Sequence, residues 1–218
     1  MKKLAVSLLA VLTAALMTAC GGSFDASGYV NALLDNSYKN DSTSFVEMKI
    51  GTAEEASKLY EEGLDTEMDA MLAGIEMSDE QIAEYREVIA DILAAAKYTV
   101  GEAEKQDDGS YVVTVTYETM NIFAAAMVDY EQKITDMVSE WTQAAMAGEE
   151  YPSEDEMMTL MIDELKPCLE DALANATYSE PATTTITVEL VDKVYTPNEN
   201  DIMELETLLF DVDAMSGM

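Results

Sequence analysis

Near Tyr98 the spacing of apolar residues changes from helical to alternating, and that change restricts this 218-residue chain to a mixed architecture. Val113, Val115 and Tyr117 alternate with Val112, Thr114 and Thr116, so one face of the stretch is apolar and the other rich in threonine. Asp107-Asp108-Gly109 separates it from the run beginning Tyr98-Thr99-Val100, and Asp-Gly between two such runs signals a hairpin. A second alternating stretch, 183–191, sets Ile186, Val188 and Leu190 against Thr185, Thr187 and Glu189; Val194 and Tyr195 begin a further short strand that Pro197 closes. The expectation is an α+β fold: an antiparallel sheet from residues 97–118 and 183–195, with helices packed on one face.

The remaining chain repeats at helical spacing. Residues 24–39 carry Phe24, Val30, Leu33, Leu34 and Tyr38 on one stripe, with Asp25 or Ser27 as cap and a short turn expected over 43–48. Thr52-Ala53-Glu54-Glu55 and Ser78-Asp79-Glu80-Gln81 are capping boxes opening two more helices, the first ended by Gly74. The longest helix is expected over 123–147, its stripe including Met127, Ile134, Met137 and Trp141, with Gly148 at its end. After Glu149-Glu150-Tyr151-Pro152-Ser153 comes a helix over 154–174, which Pro167 should kink or restart because proline lacks an amide. A last helix starts at Asn200 or Asp201 and runs to Phe210, leaving 211–218 as a tail. Ala96-Lys97-Tyr98 is echoed by Ala176-Thr177-Tyr178, a similarity compatible with duplication or with chance.

Charge narrows the function classes. The chain has 44 acidic and 11 basic residues, a net charge of -33. Phosphate backbones require a basic footprint, so nucleic acid is not an expected partner. An apolar fraction of 49% nevertheless supports a core. Histidine is absent, which removes the usual metal ligand and near-neutral acid–base group.

The first twenty residues, MKKLAVSLLAVLTAALMTAC, pair Lys2 and Lys3 with an apolar stretch over 4–17 that is short for a membrane span. Met17-Thr18-Ala19-Cys20 follows, then Gly21-Gly22-Ser23. This start resembles the bacterial lipoproteins, whose lipobox has a leucine where Met17 stands. The resemblance implies cleavage before Cys20, a diacylglycerol on its sulfur, and a domain held by membrane lipid on the extracytoplasmic side of a bacterial membrane. An ordinary secretory signal or an N-terminal anchor is the other reading of these residues. The implied organisation is a signal over 1–19, a lipidated cysteine and tether over 20–23, and one domain over 24–210. Gly28-Tyr29-Val30, Leu59-Tyr60-Glu61-Glu62-Gly63-Leu64 and Asp108-Gly109-Ser110-Tyr111-Val112-Val113 further resemble extracytoplasmic lipoprotein domains common in clostridial and related gut bacteria, a likeness that brings no activity with it.

With Cys20 acylated, Cys168 is the one thiol left. Two methionine clusters stand out: Met68, Met71 and Met77, and Met157, Met158 and Met161 near Cys168. Thioether and thiol ligands suit monovalent copper. Their helical spacing reads instead as core, with a groove for a partner helix or peptide as a further reading. Cys168, lacking a histidine beside it, reads as a buried, inert thiol, and Trp141 as structural. Tyr38, Tyr98, Tyr111, Tyr117, Tyr130, Tyr178 and Tyr195 read mostly as core or core-edge residues, with some of them expected to line a cleft between sheet and helices. No phosphate-binding glycine loop, calcium loop or serine elbow occurs, and Glu118 is no better a catalytic nominee than any other acid. The expected function is binding of an unidentified solute, peptide or envelope protein, without cofactor or metal; a secreted hydrolase using paired carboxylates and a structural surface protein are the alternatives.

Self-repulsion at this charge should be relieved by salt. The melting midpoint is therefore expected to rise with ionic strength, and calcium to act by diffuse screening alone. A stoichiometric micromolar calcium isotherm would refute the second half of that expectation.

Overall fold

The computed structural model describes residues 24–71 and 77–211 together with the backbone of Met17–Thr18; the side chains of Ala70 and Met71 are outside this set. Apart from that backbone, the signal, Cys20 and its tether, Gly74 and residues 212–218 of the tail lie outside the described residues. The elements are β1 (Met17–Thr18), α1 (Ala26–Lys39), α2 (Thr43–Glu47), α3 (Ala53–Met71), α4 (Asp79–Ala94), β2 (Lys97–Lys105), β3 (Tyr111–Glu118), β4 (Met120–Asn121), α5 (Phe123–Met146), α6 (Glu154–Ala174), β5 (Thr177–Tyr178), β6 (Ala182–Val191), β7 (Val194–Pro197) and α7 (Glu199–Phe210).

The fold is α+β, as the alternation implies. The antiparallel sheet has the order β1-β7-β6-β3-β2. Val113, Val115, Ile186 and Val188 point to one face and are fully buried, while Thr114 on the other face is exposed. Helices α1 and α7 lie against the sheet, with α3 and α4 packed outside α1. The β2–β3 connection is a type I turn followed by a left-handed glycine: Gly109 donates to the Gln106 carbonyl at 3.0 Å with φ 91°, a conformation that favours glycine. A bulge falls between Val100 and Ala103, where a side chain on Gly101 would press within 3.2 Å of the Thr114 carbonyl.

Local signals set the helix starts. Both capping boxes form, with Glu55 donating to Thr52 Oγ1 and Gln81 to Ser78 Oγ at 3.2 Å each, and a third forms at Ser153 and Glu156. Asp25 caps α1, and Asn198 caps α7. Pro167 neither ends nor restarts α6, which continues through it.

The helical hairpin α5–α6 interrupts an otherwise simple meander. Strands β3 and β6 are direct neighbours, with Tyr117 opposite Ala182, yet residues 119–181 leave and return between them. A short ladder closes the base of this excursion: Met120 faces Tyr178, Asn121 faces Thr177, and the Ser179 and Thr119 backbones join at 2.9 Å. Ala96-Lys97-Tyr98 and Ala176-Thr177-Tyr178 also meet here, where Lys97 Nζ lies 3.5 Å from the Tyr178 ring centre and Tyr178 Oη donates to the Ala95 carbonyl.

Shortening Ile186 to Ala, opposite Val113 on the buried face, should cost roughly 2–5 kcal/mol through lost burial and a cavity. Val128→Ala, at a position 68% exposed on α5, should stay within about 0.5 kcal/mol of the parent. Urea denaturation of both variants checks the contrast.

Candidate functional site

The α5–α6 arm is the feature that the core does not account for. Near its base it is well secured. Tyr85 Oη donates to the Ile162 carbonyl at 2.5 Å, Gln81 bonds Asp163 at 2.8 Å, and Lys166 pairs with Glu84 at 2.9 Å. Phe123, Ala126, Cys168, Leu169 and Ala172 are buried there. Farther out, no residue from 127 to 161 is buried. There the two helices half-cover each other's apolar stripe, and Tyr130 is packed against the core at its inner end.

This corrects the reading of the second methionine cluster as core. Met157 and Met161 are only half-buried, and Met158 is 50% exposed. The stripe becomes core only where α4 supports it, at Cys168, whose thiol donates to the Glu164 carbonyl and is pushed up in pKa by burial. In the first cluster Met68 is buried, Met77 half-buried, and the Met71 side chain lies outside the described residues. Trp141, expected to be structural, sits on the outer arm, edge-on to Tyr151 with ring centres 6.2 Å apart.

At the tip, Gly148 with φ 94° ends α5 in a Schellman turn, Glu149 donating to the Ala144 carbonyl at 3.0 Å. The following loop and the first turns of α6 form an open cleft of about 810 Å³ lined by Tyr151, Pro152, Leu160 and the carboxylates Glu150, Asp155 and Glu156. Met146 is 83% exposed, and Tyr151, Leu160 and Val138 also face solvent. The aromatic and proline within the acidic stretch 149–153 were the sequence signal for this surface.

A second open cleft, about 500 Å³, lies at the Glu118 end of β3 and includes Lys97, Tyr98, Tyr117, Glu118 and Pro181. Its polar groups are already engaged: Tyr98 Oη donates to Asp35 at 2.7 Å, and Lys97 lies 3.7 Å from Glu118. Tyr98 and Tyr117 thus line a cleft at one end of the sheet, formed by strand residues and Pro181 instead of lying between sheet and helices, while Tyr178 sits beside it under Lys97.

Four carboxylates at turns and caps are shifted in acidity. Asp41 is held below its ordinary range by Thr43, Glu55 by Thr52, Asp108 by Ser110 and Glu156 by Ser153, each through hydrogen bonds to the charged form. Glu67 and Glu206 are buried in the interior and bear on Tyr38 rather than on either cleft. Among the described residues no group of three or more acidic or thiol ligands is placed to hold a metal ion. No protein-family model, curated protein or solved structure matches the chain.

Tyrosine chemistry gives the pH dependence. Burial raises the pKa of Tyr29, Tyr38, Tyr85 and Tyr98 above the ordinary 10.0, with Glu206 adding to the effect at Tyr38 and Asp35 at Tyr98. A raised folded pKa leaves stability intact below the unfolded value and removes it as pH climbs beyond. The melting midpoint should therefore fall steeply above about pH 10, with part of the phenolate absorbance appearing only on unfolding. Among the described residues Tyr38 Oη has no hydrogen-bond partner, so Tyr38→Phe should be neutral or stabilising by up to about 1 kcal/mol at neutral pH.

Proposed function

We propose that this chain is a lipid-anchored, extracytoplasmic bacterial binding protein that engages a peptide or envelope protein through the α5–α6 arm. One observation carries the binding half: residues 127–161 contain no buried side chain, yet they present Trp141, Met146, Tyr151, Met158 and Leu160. An arm that serves only the fold has no reason to keep such side chains in water. Both clefts are open, which gives a small solute little enclosure and favours a macromolecular partner. The hydrolase reading receives less support, because the shifted carboxylates at turns and caps favour the ionised form rather than a proton-donating acid.

The anchoring half rests on Met17-Thr18-Ala19-Cys20. Three residues separate Cys20 from Phe24, whose ring stacks on Tyr195 at 3.8 Å and meets Tyr111 at 5.6 Å. Four extended residues reach no more than about 14 Å, so lipid on Cys20 would hold the Tyr111 end of β3 close to the membrane. The arm leaves the sheet at the Glu118 end of that strand, about 23 Å away. Cleavage before Cys20 also removes β1 and leaves β7 as a four-residue edge ended by Pro197.

Cys20→Ser should move the protein from the membrane to the soluble fraction. Mass spectrometry should find diacylglycerol on Cys20 and residues 1–19 gone in the parent; an unmodified thiol behind an intact leader would overturn the anchor. Replacing 137–160 by a short turn should leave the melting midpoint within about 4 °C, the shift expected for roughly 1 kcal/mol. Loss of cooperative melting would make the outer arm part of the fold instead.

A further inference from the structure

We propose that the tip of the α5–α6 arm docks a cationic amphipathic helix of a protein partner; the inference rests on the arm's being a binding element. The charge distribution selects the occupant. Residues 137–160 contain six acids, namely Glu140, Glu149, Glu150, Glu154, Asp155 and Glu156, and no lysine or arginine. Basic side chains paired with acids on the described residues serve other places: Lys39 with Asp35, Arg86 with Glu61 and Asp65, Lys97 with Glu118, and on the arm itself Lys133 with Glu164, below the tip. The tip's charge is thus left for an incoming group to balance. A second copy would bring the same six acids against these six, and anionic lipid would be repelled equally. A partner carrying lysine or arginine gains attraction on approach and need not strip the carboxylates of all their water, because they remain at an exposed rim.

The apolar centre of the surface selects an amphipathic segment over a merely basic one. Tyr151, Pro152 and Leu160 line the tip cleft, Trp141 stands edge-on to Tyr151, and Met146 and Met158 are exposed on the two helices that the tip joins; an amphipathic helix buries one apolar face in such a cleft. Methionine side chains have the torsional freedom to fit a partner's ridges, and Tyr151 set edge-on against Trp141 offers a stiffer anchor. Basic residues flanking the partner's apolar face would then fall over Glu149, Glu150 and Asp155.

Trp141 is the single tryptophan in the chain, so its emission reports on this surface alone. The full-length protein is titrated with three synthetic helices: one of leucine and lysine, one with glutamine replacing lysine, and one with serine replacing leucine. Saturable one-to-one binding of the leucine–lysine helix with a blue shift is expected, weakened about tenfold by high salt. E149Q/E150Q/D155N should lower its affinity about tenfold, whereas E102Q/E104Q/D107N, an equal charge change on β2 and its turn, should leave it unchanged. Calorimetry on the variant lacking 137–160 should show binding abolished. Equal binding of the leucine–glutamine helix, indifferent to tip neutralisation, would overturn the cationic partner while sparing the arm as a docking element. Equal loss from both charge triples, or equal binding of the serine–lysine helix, would reduce the effect to diffuse attraction and overturn the site. Silence of Trp141 and no calorimetric binding with all three helices would overturn the arm reading as well.

Discussion

The antiparallel ladder between β3 and β6 is the constraint on which the rest of the molecule depends. It runs from Tyr111 opposite Val188 to Tyr117 opposite Ala182, and it joins segments separated by the entire α5–α6 excursion. Closing so long a loop costs entropy, though only logarithmically in its length. The buried pairs Val113–Ile186 and Tyr111–Val188 offset that cost, with β4 and β5 fixing the two ends of the excursion side by side. With that register set, α1 and α7 have an apolar surface to cover, and Asn198 and Asp201 stitch the start of α7 to Thr187. The arm is consequently an insertion between two paired strands, free to grow outward without disturbing the sheet.

Acidity is distributed to match this division. In the body, two of the scarce basic residues sit where helices meet: Arg86 on α4 bridges to Glu61 and Asp65 on α3, and Lys166 on α6 reaches Glu84 on α4. Exposed pairs of this kind contribute little individually, about 0–1 kcal/mol, but they keep like charges from facing each other across the contacts. The outer arm has no such relief. Its acids repel one another along a two-helix stalk, and its apolar stripe stays half wet. Both features agree with the docking role proposed for the arm.

Much of the secondary structure was legible because it is locally encoded. Thr52 with Glu55 and Ser78 with Gln81 formed the reciprocal bonds that their spacing implies, α6 has the bounds expected for it, and Asp107-Asp108-Gly109 turns between the strands. The candidate site was less legible. Met157, Met161, Leu165 and Cys168 share one side of a helix, as their period requires, but one end of that side is core and the other half-exposed. Periodicity states which residues lie together on a face. Whether anything packs on that face depends on where α4 begins, which no feature of α6 encodes.

The sequence by itself determined the α+β class, the apolar face of the sheet, the caps, and the surplus of negative charge, because each follows from neighbours a few residues apart or from composition. Its first twenty residues likewise supply the only grounds for an anchor at Cys20. The tertiary structure alone decided that β3 pairs with β6, that the helical hairpin between them is an arm instead of a core layer, and that Trp141 and the outer methionines stay only partly covered on it. Those facts turn on contacts between residues distant in the chain, and a stripe of apolar side chains has the same spacing whether it meets a neighbour or water.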